Sequence, residues 1–300
     1  MPLVFERAFR VRHYECDAYG HVNHVNYLRY MQQAAMEASA AAGYDVTRYQ
    51  EMGRLWFVRE TDIEYLHPLV YGDTVIVKTW VQDFRRVRSR RAYELRRASD
   101  GLLVAQASTD WVFLDARTQR PVTVPPEMIA AFVPEGLPAQ GARRAPFPTP
   151  PPPPPDVFTM RVRVAWHDLD AAGHVNNANY MVYLEECGIQ VAEAYGWPPE
   201  RMFAAGFGII ARHYRIEYQQ SARYGDELSL ATWYSHPRRT SAMRHYTITR
   251  VSDGALIARA SVTWVWIDLT TGQPMRIPPD FAADFAANRA QEEGAYKGCR

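Results

Sequence analysis

The stretch "ECDAYGHVNHVNYLRYM" at residues 15–31 is rewritten at residues 168–184 as "DLDAAGHVNNANYMVYL". In both places a Gly-led polar heptapeptide, "GHVNHVN" (20–26) or "GHVNNAN" (173–179), precedes an aromatic-rich apolar run. Asn and His at this density are poor core material. The stretch is therefore either a turn that the fold needs twice or a site that the chemistry needs twice. His21 and His174 lie 153 positions apart, and the same offset pairs Asp17 with Asp170, Tyr27 with Tyr180 and Tyr30 with Tyr183. It continues without a gap through "IEY" (63–65, 216–218), "YGD" (71–73, 224–226), Trp111 with Trp264, and "PP" (125–126, 278–279). A register held that long identifies a duplicated unit.

Each copy has a legible order. In the first, a strand is expected over 3–14, a polar turn over 15–23 and a helix over 24–42. Arg29 and Glu37 are the only formal charges of that helix, so most of its circumference should be buried. Strands rich in Val, Ile, Thr, Trp and Tyr follow at 56–66, 73–84, 87–98 and 102–114, with turn signals between them. The second copy repeats the plan at 158–168, 177–195, 209–219, 226–236, 241–251 and 255–267, and short helices at "PPEMIAAF" and "PPDFAADF" close the two copies. One long buried helix wrapped by an antiparallel sheet is an α+β architecture. The expected boundaries are a first domain at 1–135, a Pro-rich linker at 136–157, a second domain at 158–290 and a C-terminal tail at 291–300. In "PTPPPPPPDVF" the linker favours extended polyproline II, a spacer of about 3.1 Å per residue.

Composition excludes several classes. The 300 residues are 47% hydrophobic and 22% charged with a formal net charge of +1, so no global field favours nucleic acid or an anionic membrane. No apolar run approaches the ~18 residues that span a bilayer. Glu6, Arg7 and Arg10 stand where a signal peptide would need an apolar segment. Cys16, Cys187 and Cys299 are an odd number without ligand spacing. That pattern suits the reducing cytoplasm and implies no structural zinc and no metal site.

The heptapeptides carry the candidate chemistry. Asn23 sits at the expected helix N-cap, and the N–H groups of His24, Val25 and Asn26 are first-turn donors without helical acceptors. Gly20 permits a tight turn before them, and Asp17 lies just upstream. A carboxylate beside N–H donors at the positive end of a helix dipole can act on a carbonyl whose developing oxyanion those donors stabilise. The second copy offers Asp170, Gly173, His174, Asn176 and the N–H groups of Asn177, Ala178 and Asn179. Against this stands the plain reading of Asn and Asp as helix caps. His21 and His174 either orient the acid and meet a substrate carbonyl, or brace the turn. Asn23, Asn176, Asn26 and Asn179 are candidate substrate-binding groups at the mouth. Cys16 beside Asp17 becomes Leu169 in the second copy, which argues against a thiol nucleophile. In the basic run "RRVRSRRAYELRR" (85–97) and its counterpart, Arg86 and Arg239 are candidate ligands for phosphate, and a solvated strand face is the alternative.

"DAYGHVNHVNYLRYM" and "HDLDAAGHVNNANYMVYLEE" resemble the hotdog-fold thioesterases, most closely the 4-hydroxybenzoyl-CoA thioesterase-like branch that includes long-chain acyl-CoA thioesterases. The plant acyl-carrier-protein thioesterases, also two hotdogs per chain, are a more distant likeness. The resemblance implies two tandem hotdog domains pairing as an intramolecular pseudo-dimer, with room for further assembly. It implies acyl-CoA or a carrier-protein thioester as substrate, no cofactor beyond the coenzyme A of the substrate, and no nucleic-acid or membrane partner. The acid of the family falls on Asp17 and Asp170, as general base or nucleophile, and its oxyanion donor falls on the N–H of His24 and Asn177. The catalytic Asn that the plant enzymes place two residues after the acid is absent, because Tyr19 and Ala172 stand there. A second hotdog branch uses a helix Glu. Glu37 fits it, but its counterpart is Gln190, so the Asp reading is preferred. The rival functions are an enoyl-CoA hydratase or dehydratase on the same fold, and a non-catalytic acyl-binding or scaffold protein.

Overall fold

A computed structural model of the chain describes residues 2–136 and 145–290. The expected tail at 291–300 and residues 137–144 of the linker lie outside the described residues. The chain divides into two units, 1–145 and 146–300.

In the first unit β1 (Val4–Arg10) precedes a long helix α1 (His24–Ala41) and a short α2 (Val46–Glu51). Then come β2 (Arg54–Tyr65), β3 (Thr74–Arg85), β4 (Arg88–Arg97) and β5 (Leu103–Asp115), and α3 (Pro126–Phe132) closes the unit. The strands lie in the order β1-β3-β4-β5-β2, and every neighbouring pair is antiparallel. Bulges at Val58/Glu60, Val81/Asp83 and Leu95/Arg96 bend the sheet. Helix α1 packs against β1 and β3 and buries Tyr27, Leu28, Tyr30, Met31, Ala34, Ala35 and Ala38. Full burial of a side chain such as Leu28 or Met31 contributes about 1.5–3 kcal/mol. At the C-terminal end of α1, Tyr44, Phe84, Phe113 and Phe132 form an aromatic cluster with Val81 and Met128.

The second unit repeats this with β6 (Phe158–Arg163), α4 (Asn177–Ala194), α5 (Pro199–Ala204), β7 (Phe207–Tyr218), β8 (Glu227–Ser235), β9 (Ser241–Arg250), β10 (Leu256–Asp268) and α6 (Pro279–Asp284). Its order is β7-β10-β9-β8-β6, again antiparallel throughout. A cluster of Trp197, Phe207, Trp266 and Phe281 fills the end beyond α4. A Cβ on Gly188 of α4 would come within 3.1 Å of the Tyr246 hydroxyl, so this glycine lets the helix approach the sheet closely. Among the described residues no helix is long and apolar enough to cross a membrane.

Three local readings change. The expected first strands of both copies end early, at Arg10 and Arg163. The chain then turns in short 3-10 helices at 13–15 and 166–168, because the carboxylates of Glu15 and Asp168 capture the N–H groups of Arg12 and Ala165 at 2.7 and 2.8 Å. Helices α2 and α5 are too short for a periodic signal; Asp45 caps the first through the Arg48 N–H at 2.8 Å, and Pro199 opens the second. The proline-rich segment is more than a spacer: the Trp233 indole N–H donates to the Pro151 carbonyl at 3.0 Å, and Arg259 stands 4.6 Å over the Phe147 ring.

Candidate active site

The mouth of α1 is built by a closed turn. Cys16 and Val22 pair across it, the Asp17 N–H donates to the His21 carbonyl at 2.8 Å, and the Gly20 N–H donates to the Asp17 carbonyl at 2.9 Å. The closure needs a left-handed residue, and Gly20 supplies it at φ +77°. One oxygen of the half-buried Asp17 carboxylate accepts the Tyr19 N–H at 2.9 Å. The second unit repeats each bond: Asp170 N–H to the His174 carbonyl, Gly173 N–H to the Asp170 carbonyl, and Ala172 N–H to Asp170 Oδ1, each at 2.9 Å. Gly173 sits at φ +76°.

The helix start is fixed from below. Asn23 Oδ1 accepts the Val25 N–H at 2.9 Å, and the Asn23 carbonyl accepts the Asn26 N–H at 2.9 Å. In the second unit Asn176 Oδ1 takes the Ala178 N–H at 3.0 Å and its carbonyl takes the Asn179 N–H at 2.9 Å. Two of the three expected donors in each mouth are thus committed to the cap, which corrects the picture of three available N–H groups. The donor position that remains outside these bonds is the first helical residue, His24 or Asn177. Among the described residues, no hydrogen bond is formed by the Asn177 N–H. The opposite face of that peptide is held by a strand tyrosine, whose hydroxyl donates to the His24 carbonyl (Tyr65, 3.1 Å) or the Asn177 carbonyl (Tyr218, 2.9 Å).

Asn26 is buried, its Nδ2 donates to the Glu15 carbonyl at 2.8 Å and its Oδ1 accepts from Arg29 at 2.8 Å, so its amide braces the turn instead of facing a substrate. Asn179 repeats the brace to the Asp168 carbonyl at 3.0 Å. Asn23 and Asn176 act as caps in the same frame.

Two positions that hold the mouth together were missed by the sequence reading. Glu15 is buried, and its Oε2 accepts both the Arg12 N–H and the Tyr30 hydroxyl, each at 2.7 Å; its backbone carbonyl accepts the Asn23 N–H at 2.9 Å. Asp168 holds the equivalent place. The strand tyrosines Tyr65 and Tyr218 were visible only as part of the repeated "IEY". The signal for both was the retained offset itself, which pairs an acid with an acid and a tyrosine with a tyrosine.

The electrostatics differ between the copies. Removal of the ring from water holds the His24 imidazole down at about 4, with the Asp17 carboxylate pulling the other way. His174 is lowered by burial and then by Arg223, against the pull of Asp170. Position 223 corresponds to Val70 in the first unit, where His21 pairs with the Val70 backbone. Both imidazoles are thereby favoured in the neutral form, able to donate or accept. Burial and then Asp17 push the Cys16 thiol up, away from a reactive thiolate. Tyr180 is pushed up to about 12 by burial, and its hydroxyl accepts the Ala222 N–H at 3.0 Å, a packing role. Glu37 pairs with Arg7 at 3.2 Å.

Arg86 and Arg239 do not join Asp17 and Asp170 at the mouths of their own helices. Both are exposed in the turns after β3 and β8. In the first unit β3 begins opposite Arg10, beside the mouth, and ends at Phe84 and Arg85, beside the aromatic cluster at the far end of α1. An 18-residue helix separates the two ends, ~27 Å at 1.5 Å per residue. The basic run is also not simply a solvated face: Arg91 is buried against the Phe132 ring, and Arg90 pairs with Asp110 at 3.0 Å.

Fold and mouth together define a tandem pair of hotdog units, each with an acid before a capped helix. The Thioesterase-like superfamily profile matches residues 11–132 and 164–285, more than half of the chain, and the chain belongs to that family. It is 24% identical over 271 residues to acyl-[acyl-carrier-protein] hydrolase FATB2 of Cuphea viscosissima, covering 87% of this chain and 63% of the relative. It is 28% identical over 120 residues to the long-chain acyl-CoA thioesterase FadM of Escherichia coli, covering 39% of this chain and 88% of the relative. The solved 12:0-ACP thioesterase of Umbellularia californica superposes with a TM-score of 0.68 at 19% identity, covering 87% of this chain and 93% of that one, a likeness of fold. The chain spans 46–68% of the length of the plant relatives compared with it, and less than two thirds of most of them. The plant acyl-carrier-protein hydrolase, expected as the more distant likeness, aligns over more of this chain than FadM does, at a lower identity.

Proposed function

We propose that the chain hydrolyses acyl-CoA thioesters to a free acid and coenzyme A. The observation that carries this reading is the frame found twice: a half-buried Asp carboxylate beside a helix start whose first peptide is braced from behind by a strand tyrosine. Asp17 or Asp170 takes a proton from water as the water oxygen attacks the thioester carbonyl carbon. The carbonyl oxygen gains charge, and a donor at the positive helix end, such as the Asn177 N–H, stabilises it. The C–S bond then breaks, and the thiolate leaves and takes up a proton. Direct attack by the carboxylate, through an acid anhydride that water cleaves, is the second form of the same chemistry. His21 and His174 are assigned to positioning the turn, since their carbonyls hold the N–H groups of Asp17 and Asp170. The names of the relatives, long-chain acyl-CoA thioesterase and acyl-carrier-protein hydrolase, support a thioester substrate of either carrier. The thiols of Cys16 and Cys187, both unpaired in disulfides, support work in a reducing cytoplasm.

The deciding experiment is a thiol-release assay over acyl-CoAs of graded length and over acyl-carrier-protein thioesters, run beside a 2-enoyl-CoA hydration assay. Thiol release that disappears when Asp17 and Asp170 are both changed to Asn is expected. Hydration without thiol release would move the chain to the hydratase class, and release undiminished in the double variant would remove the two acids from the mechanism.

A further inference from the structure

The proline run lies on a prepared surface of the second unit. In β9 the Tyr246 side chain faces α4, where a Cβ on Gly188 would come within 3.1 Å of its hydroxyl, so the preceding His245 points to the outer face of the sheet. Register places Trp233 of β8, His245 of β9, Ser261 of β10 and Arg215 of β7 in one row across that face. Arg259 stands in the next row, opposite Glu217, whose carboxylate holds it at 2.7 Å. The chain crosses this face on its way to β6. The Phe147 ring lies against two guanidinium groups, Arg259 at 4.6 Å and Arg215 at 5.4 Å. Pro151, four residues on, accepts the Trp233 indole N–H at 3.0 Å through its carbonyl. The anchors on β10 and β8 are two strands apart, about 10 Å, and four residues of polyproline II reach about 12 Å. Between them runs β9 with His245, which is only 3% exposed although it belongs to the outer face.

Burial along the run has the period of a polyproline II helix. Pro151 is half-buried and Pro154 is buried, while Pro152 and Pro153 between them are exposed. Three residues make one turn of that helix, so Pro151 and Pro154 share its inner face, and its carbonyls, free of internal hydrogen bonds, are open to donors. The surface beneath is fixed by its own contacts. The Trp233 ring lies 5.7 Å from the His245 imidazole, and Ser235 Oγ stands 2.7 Å from His245 Nε2. The first unit shows that the fold does not demand this arrangement. It keeps the tryptophan as Trp80 but has Ala92, Asp62 and Gln106 in place of His245, Arg215 and Arg259. Trp80 is half-buried, whereas Trp233 is 3% exposed.

We propose that the outer face of β8, β9, β10 and β7 is a binding site for a polyproline II segment of the form Phe-x-x-x-Pro-x-x-Pro, filled in cis by residues 147–154 of the same chain. Each anchor selects one feature of the ligand. The Arg215 and Arg259 guanidinium groups take an aromatic ring, the Trp233 indole takes a carbonyl, and the face beside it takes the rings of Pro151 and Pro154. An aromatic surface that receives a preformed proline helix is a general mode of peptide recognition, because the ligand has little conformational freedom left to lose. The linker is then a ligand as well as a tie.

The test uses the full chain with Phe147, Pro151 and Pro154 all changed to Ser, which keeps the length of the segment and removes its anchors. The probe is a synthetic peptide of residues 146–156, followed by titration calorimetry. The peptide is expected to bind the substituted chain, and to bind the unsubstituted chain at least about tenfold more weakly, because the tethered segment competes at high effective concentration. Adding Trp233→Phe keeps a ring and removes one donor, and should weaken peptide binding about two- to tenfold. Trp80→Phe, at the counterpart in the first unit, should leave it unchanged. No binding to the substituted chain, equal binding to both chains, or binding indifferent to Trp233→Phe overturns the proposal. Sedimentation of the substituted chain adds a further outcome: self-association in place of peptide binding also overturns it, because the face would then belong to a second copy. If the triple variant does not unfold cooperatively, hydrogen exchange of the Trp233 indole N–H decides. Exchange at least about tenfold slower in the unsubstituted chain than in Phe147→Ser alone is expected, and equal rates overturn the proposal.

Discussion

In the first unit the acid at the head of the turn is Glu15 and in the second it is Asp168, yet each accepts the N–H three residues upstream and each backbone carbonyl receives the N–H of the helix cap at 2.9 Å. The shorter side chain does the same work because the 3-10 turn brings the donor to it. In the side chains around this frame the copies diverge: His24 against Asn177, Val70 against Arg223, and Arg12, 3.5 Å from Glu15, against Ala165. Atoms that bond to the local backbone are retained, and those that do not are free to change. The copies thus share a device for presenting an acid and a helix start, and differ in what surrounds it.

The largest expected effect tests whether both presentations are used. Changing Asp17 and Asp170 together to Asn should lower kcat by about 10²–10⁴-fold, the usual contribution of a positioned base. The single variants break the comparison. Equal halving means two equivalent sites, whereas near-complete loss in one and none in the other means that the divergent surroundings have silenced a copy.

The second prediction concerns a polar set that only one unit has. Ser235 Oγ lies 2.7 Å from His245 Nε2 and 2.6 Å from His236 Nδ1, all of it where the first unit has Gln82, Asp83 and Ala92. Burial, then His236 and Arg244, hold the His245 imidazole down at about 4 from an ordinary 6.5. The folded state keeps this imidazole neutral while the unfolded chain takes up a proton first, so stability is complete above about pH 6.5 and falls as the pH drops toward 4. The shift corresponds to about 3 kcal/mol lost across that window. Denaturant midpoints at pH 7, 5.5 and 4 should fall less steeply for His245→Ala, the residue of the first unit. Parallel curves would remove His245 as the cause.

The third prediction is smaller and concerns the shared frame. Glu15→Ala leaves the Arg12 N–H and the Tyr30 hydroxyl without their acceptor and should cost about 1–3 kcal/mol, with a similar cost for Asp168→Ala. Calorimetric unfolding reads both. A cost confined to Glu15 would mean that the shorter acid has ceased to carry the turn.

The order of elements was legible because the 153-residue offset and the apolar run of α1 are properties of spacing. The acid and the cap were legible because Asp17, Gly20 and Asn23 are the residue types that such a turn demands. Glu15 was not, since a carboxylate in a turn reads as solvated until Tyr30 is brought to it from the helix. The place of Arg86 was hidden for a different reason. Which end of a hairpin meets which end of a helix depends on the pairing of β3 with β1, and that register is written in contacts distant in sequence. Arg91 read as one more surface charge because its partner ring, Phe132, lies 41 positions away.

The smallest expected effect is the cleanest test of a shared backbone. Gly20 and Gly173 sit at φ +77° and +76°, and a Cβ on either would meet nothing within 4 Å. Substitution by Ala therefore introduces no clash and disturbs no side chain. What remains is the cost of a left-handed conformation for an L-residue, about 1–2 kcal/mol, less roughly 0.4–1 kcal/mol for the reduced freedom of the unfolded chain. A net loss of about 0–1.6 kcal/mol is expected, and the same loss in both units, because backbone geometry is what they share. Side-chain exchanges such as His24→Asn and Asn177→His should behave oppositely, altering pH dependence and turnover unequally while leaving the turn intact. If Gly20→Ala and Gly173→Ala differed by more than about 1 kcal/mol, the two turns would not be energetically the same device, and their matching hydrogen bonds would have to be held by different surroundings.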